Sequence, residues 1–106
     1  NIGGNNEWNN LDIVQLLCDQ VDARFASDAS LAARFPAAPG ARGDSARDLI
    51  RFVQDRAGHD WRYAIDAGKI MGELGYAPRE SFESGLQRTL DWFLDNEEWW
   101  TPLLQN

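Results

Sequence analysis

Apolar residues recur at helical spacing over Leu11, Val14, Leu17, Cys18, Val21 and Phe25, while Asp12, Gln15, Asp19 and Asp22 take the other faces. The pattern predicts an amphipathic helix over roughly residues 10–26, with Asn9 or Asn10 as its N-cap. The run LIRFVQD changes period: Ile50 and Phe52 alternate with Arg51, Val53 and Asp55, the signature of a short strand. Next, Ile70, Met71 and Leu74 give the apolar edge of a short helix that Asp66 can cap and Gly75 can end. Ser81 then opens a longer helix whose Phe82, Leu86, Leu90 and Phe93 share one face, with Glu80 and Glu83 at its positive end. DNEEWWTPLL closes the chain as a short helix, either docked on the body or presenting Trp99 and Trp100 to a partner.

Between these elements, FPAAPGARGDSA at 35–46 is rich in turn formers and lacks periodicity, so it reads as an exposed loop. It contains RGDS, the cell-adhesion tetrapeptide; a pattern this short arises easily by chance, and a solvated loop is the expected role.

A length of 106 residues bounds the chain to one domain. Ten Lys and Arg against seventeen Asp and Glu give a net charge of −7, which argues against a general nucleic-acid surface or an anionic-membrane surface. No apolar run approaches the ~20 residues needed to span a bilayer, and no signal-peptide layout is present, so a cytoplasmic protein is expected. The lone Cys18 falls on the apolar face of the first helix and reads as a reduced packing thiol. The chain opens at Asn1, without Met, on what reads as the middle of a strand and its turn, as a fragment would.

GxGxxG, P-loop, CxxC, HExxH and GxSxG are all absent, and neither Tyr63 nor Tyr76 is followed four residues later by Lys. Two constellations remain. The first is NIGGNNEWNN, five asparagines and a glycine pair before a helix start, readable as an anion-facing turn or simply as a turn with its N-cap. The second is Arg56, His59 and Arg62 in the loop after the strand. Forked guanidinium groups and an imidazole suit phosphate oxygens, but neighbouring Asp55, Asp60 and Asp66 could equally take the arginines as solvated ion pairs.

The runs NIGGNNEWNNLDIV, DRAGHDWRYAIDAGKI, ELGYAP and SFESGLQRTLDWFLDN resemble, in order and spacing, the C-terminal part of the dTDP-glucose 4,6-dehydratases. These are NAD-dependent enzymes of the extended short-chain dehydrogenase/reductase group. The resemblance spans nearly the whole chain, residues 27–49 excepted, where a variable surface loop is expected. It implies an α/β fold class: a small C-terminal domain with a few short strands and three or four helices, lacking the Rossmann domain. It also implies a substrate site at Asn10, on the nucleotide side; at Asp55, Arg56, Ala57, Gly58 and His59, the loop that takes the diphosphate; and at Tyr63. Ala57 stands where the family usually has proline.

In that family NAD oxidises the sugar at C4, water leaves across C5–C6, and the hydride returns to C6. The cofactor fingerprint and the catalytic residues would then belong to an upstream Rossmann domain. On this reading the chain holds no cofactor or metal of its own, binds a dTDP-sugar, and is inactive alone. The alternatives are the same portion of an enzyme acting on a UDP- or GDP-sugar, and a free-standing interaction module that forms a homodimer.

Overall fold

The first helix, α1 (Asn10–Ser27), starts where a side chain stops the extended chain: Asn9 Oδ1 accepts from the Asp12 N–H at 2.8 Å, and Asn9 Nδ2 donates to the Asp12 carboxylate at 2.6 Å. The structure, a computed structural model, describes residues 1–105. After α1 come α2 (Ser30–Arg34) and two single 3₁₀ turns, Pro39–Arg42 and Ala46–Leu49. Then follow α3 (Gly68–Leu74), α4 (Phe82–Asp95), α5 (Glu97–Trp100) and a terminal 3₁₀ turn, Thr101–Gln105.

The α/β expectation is overturned, since no β-strand occurs among the described residues. Residues 50–55 are extended, as the alternation of LIRFVQD predicted. A ladder, however, needs a second strand's N–H and C=O groups, and none runs alongside. The fold is helical, with five α-helical segments among the described residues, of which α1, α3 and α4 are seven residues or longer.

Helix ends follow the local chemistry. Ser81 accepts from the Ser84 N–H at 3.1 Å and starts α4, as expected. Gly75 ends α3 at φ +64, a conformation that costs glycine little. Asp66, the expected cap, acts from one residue before the N-cap, which is Ala67: its Oδ1 accepts from the Gly68 N–H at 2.8 Å.

The packed body is α1 against α4, with α2 and the 3₁₀ turns folded over the far end of α1. Polar links tie the two long helices: Arg24 pairs with Asp91, whose carboxylate also accepts from Gln87 Nε2 within α4 at 3.0 Å, and Gln20 Nε2 donates to the Glu83 carbonyl at 3.0 Å. Phe93, expected on the buried face of α4, is 44% exposed, and Leu94, one residue on, is the less exposed of the two. Trp100 docks, donating Nε1–H to the Phe93 carbonyl at 2.8 Å and stacking near Phe35, while Trp99 remains exposed.

The segment at 35–46 is more ordered than a solvated loop. The Gly40 backbone lies against the Phe25 ring so closely that a Cβ there would sit 2.6 Å from it. Asp22 accepts from Ser45 Oγ at 2.5 Å and from the Ala46 N–H at 2.8 Å, and Arg47 forks onto Asp19 at 2.7 and 2.6 Å. Within RGDS, Arg42 pairs with Asp44 at 2.8 Å, and Gly43 turns the chain at φ +82. Cys18 is half-buried, and burial followed by the Asp22 charge pushes its thiol above the ordinary range, the opposite of nucleophile activation.

Leu31 in α2 has no exposed surface, and among the described residues only the small Ala67 and Pro39 join it as buried apolar side chains. Leu31→Ala is therefore expected to cost about 2–5 kcal/mol, enough to release α2 from α1. Urea denaturation followed by circular dichroism measures the loss; a change well below that range would place the core elsewhere.

Candidate functional site

Two irregular stretches, 3–9 and 59–65, lie side by side at the start of α1. Gly3 makes that approach close: a Cβ on it would meet Ile65 Cγ2 at 3.1 Å. Asn5 adopts φ +54, within the reach of asparagine, and its Nδ2 lies 3.5 Å from Met71 Sδ. Farther along, Arg62 forms an ion pair with Glu7 across the two segments. A groove of 780 Å³ opens between them, with Asn6 to Asn10 on one wall, His59 to Tyr63 on the other, and Ile13 and Phe82 at its base. The Trp8 and Phe82 rings lie 4.8 Å apart there, tilted by 32°.

The groove brings together Asn10, His59 and Tyr63, three of the residues read from the sequence as a site. Asn10 is the first residue of α1, exposed, and no side-chain hydrogen bond holds it among the described residues. The N-cap role belongs to Asn9, which leaves the Asn10 amide free to donate and accept. Tyr63 is 69% exposed, and hydrogen bonding to the Asp60 carboxylate pushes its phenol up. At neutral pH it is a neutral hydroxyl.

Asp55, Arg56, Ala57 and Gly58 stand outside the groove lining, on the exposed turn that leads into it. Gly58 has φ +73, and the His59 N–H reaches back to the Arg56 carbonyl at 3.4 Å, the features of a type II turn. Asp55 braces this turn twice: its Oδ1 accepts from the Arg56 N–H at 2.9 Å and lies 2.7 Å from His59 Nδ1. The hydrogen bond from His59, the largest influence, holds the Asp55 carboxyl below its ordinary range. With Asp55 ionised, the imidazole donates through Nδ1 and presents Nε2 outward. Arg56 carries no side-chain hydrogen bond or ion pair among the described residues, so its guanidinium is free for an anion.

The even choice between anion grip and solvated pairs thus divides by residue. Arg62 is engaged by Glu7, while Arg56 is open. Glu7, Trp8 and Phe82 were not read as site residues from the sequence. Glu7 sits 55 positions from the arginine it holds, and Phe82 was assigned to a helix core.

Fold and groove define a small helical unit that offers a free arginine, an oriented histidine and an open asparagine beside an aromatic floor. Nearly all of the chain is homologous to part of the dTDP-glucose 4,6-dehydratases. The enzyme of that name from Neisseria meningitidis serogroup B is 44% identical over 104 residues, 98% of this chain but 26% of its own length. An Escherichia coli relative of the same name matches to the same extent, and that of Salmonella typhimurium is 48% identical over 99 residues, 93% of this chain and 23% of its own. The chain thus spans about a quarter of the length of the relatives it matches. No family model matches it.

Two outcomes follow from the turn. Ala57 occupies the second position of a type II turn, where proline is favoured, and its N–H bonds to nothing among the described residues. Ala57→Pro is expected to stabilise the loop by about 0.4–1 kcal/mol, visible as a rise in thermal midpoint; destabilisation would contradict the turn type. The Asp55 carboxyl, lowered when folded, supports the turn above an unfolded pKa of about 3.9, and that support disappears as pH falls through the lower folded value. An NMR titration of its carboxyl carbon is expected to show a midpoint below the ordinary range, and Asp55→Asn to abolish the associated shift of the Arg56 amide.

Proposed function

We propose that the chain is the nucleotide-sugar-binding portion of a dTDP-glucose 4,6-dehydratase, the enzyme that converts dTDP-glucose to dTDP-4-keto-6-deoxyglucose and water. The reading includes a cytoplasmic setting. NAD and the residues that oxidise C4 and eliminate water belong, on this reading, to an upstream Rossmann domain. The observation that carries it is the single stretch of surface where Asn10, His59 and Tyr63 converge next to the unpaired Arg56. The names of relatives matching 98% of the chain support the choice of ligand.

Each residue has a task in this reading. Arg56 supplies a permanent, forked positive charge to the diphosphate, for which Lys would be a poorer substitute. His59, steered by Asp55, directs Nε2 to a phosphate or sugar oxygen. The Asn10 amide matches a group that both donates and accepts, as the edges of a nucleobase or ribose do. The Trp8 and Phe82 rings give the groove an apolar floor against which a flat ring can lie. On this reading the set holds the substrate, and the proton and hydride transfers fall to the upstream Rossmann domain. Among the described residues, no cluster of three or more His, Cys, Asp or Glu is placed to hold a metal ion.

An NMR titration of the chain with dTDP, dTDP-glucose and UDP-glucose tests the reading. Amide shifts are expected at Asn10, Gly58, His59 and Tyr63, larger for the thymidine nucleotides. Arg56→Ala is expected to weaken binding about 10-fold or more through loss of a charge-assisted hydrogen bond. Silence of these amides at millimolar dTDP would overturn the proposal. The purified chain is also expected to give no turnover of dTDP-glucose with added NAD.

A further inference from the structure

The groove wall that runs from His59 to Tyr63 carries a ring with nothing against it. Trp61 lines the groove yet is 101% exposed, and among the described residues it makes no side-chain hydrogen bond, ring pair or cation–π contact. The other aromatic side chains of the groove are engaged: Trp8 lies 4.8 Å from Phe82, and the Tyr63 phenol is hydrogen-bonded to Asp60. An indole is the largest apolar surface a side chain can expose, and tryptophan is enriched where proteins grip what they bind.

The chain around Trp61 is held while its ring is free. On one side His59 Nδ1 lies 2.7 Å from Asp55 Oδ1, and on the other Arg62 is paired with Glu7 across the groove. With its neighbours fixed, only the two side-chain torsions of the indole remain to be ordered, a small cost for a large contact area. Trp61 also shares a loop with the open guanidinium of Arg56, so a flat apolar platform and a permanent positive charge stand close in sequence. A ligand with a flat ring at one end and phosphate at the other matches that pair. A protein segment matches it less well, because the cores of protein interfaces are depleted in charge, whereas Trp61 sits between Asp60 and Arg62 and shares its groove with the amides of Asn6, Asn9 and Asn10.

Building on the proposed function, we propose that Trp61 recognises the base of the nucleotide, its indole stacking on the face of the thymine ring while Arg56 holds the diphosphate. Stacking of a base on an aromatic side chain is worth about 10-fold in affinity and tolerates any base, since every base has a π-face. The 5-methyl group of thymine supplies the discrimination: against the indole it adds apolar contact that uracil lacks, about 4-fold in favour of thymine. Trp61 is thus a specificity-determining residue as well as an anchor, and it leaves the edge of the base to the Asn10 amide.

NMR titrations of the chain and its variants with dTDP, dUDP, inorganic pyrophosphate and glucose 1-phosphate test the assignment. Trp61→Ala is expected to weaken dTDP binding about 10-fold, to shrink the preference for dTDP over dUDP, and to leave pyrophosphate and glucose 1-phosphate unchanged. Trp61→Phe keeps a ring and is expected to restore part of the loss. Because the indole touches nothing in the free chain, both variants are expected to keep the parent's circular dichroism. In the parent, the indole N–H signal of Trp61, identified by its absence from Trp61→Phe, is expected to move upfield with dTDP and to stay in place with pyrophosphate. Arg56→Ala is expected to weaken dTDP and pyrophosphate together. Binding of dTDP that depends on Arg56 but ignores Trp61→Ala would overturn this assignment and leave the ligand reading standing. Loss of glucose 1-phosphate affinity in Trp61→Ala would give the indole to the sugar and overturn it as well, and absence of any dTDP binding would overturn both.

Discussion

A shortage of inward-facing apolar volume governs this chain. Leu31 is the one large side chain sealed from water among the described residues, and around it α1, α2 and the 3₁₀ turns gather with glycine and proline as much as with hydrophobic bulk. Polar links carry an unusual share of the remaining cohesion. Arg24 to Asp91 joins the two long helices, and Arg34 reaches both the Leu94 carbonyl at the end of α4 and Glu97 at the start of α5. Pairs of this kind, partly wet, each contribute little alone, so the arrangement depends on several holding together.

The groove follows from that economy. No core lies beneath it to pull its walls together, so they meet through single contacts: Gly3 against Ile65, Arg62 with Glu7, Trp8 against Phe82. These contacts consume one of the two arginines in the DRAGHDWR run and leave the other open. Two residues identical in charge thus acquire different roles, one fastening the site and the other facing the ligand. Similarly, Asn9 and Asn10, adjacent and chemically equal, divide into a helix cap and a free amide because only one can occupy the N-cap backbone conformation.

Helices were the legible part of the sequence because their signals are local. Asn9, Ser81 and Gly75 act within a few residues of their own positions, and α1, α3 and α4 appear close to where periodicity puts them. The strand failed for the complementary reason: alternation reports what a segment is suited to, while a ladder also requires a neighbour that no property of LIRFVQD can supply. Residues 35–46 were misread because their order comes from side chains on α1, Asp19 and Asp22, which a window over the loop does not contain. At the site, residue types marked Arg56, His59 and Asn10, but the Glu7 latch and the Phe82 floor arise from separations that sequence spacing does not display.

The second 3₁₀ turn is attached to α1 by side chains of that helix. Asp22 and Asp19 hold Ser45, Ala46 and Arg47 by four hydrogen bonds immediately before the chain becomes extended. The free segment therefore leaves the helical body from a clamped root, in one direction, with only a few residues of slack. A segment rooted in this way loses less conformational entropy on being held than a loose tail of equal length would. Two acidic side chains on one face of a helix thereby fix where the extended segment that leads to Arg56 begins.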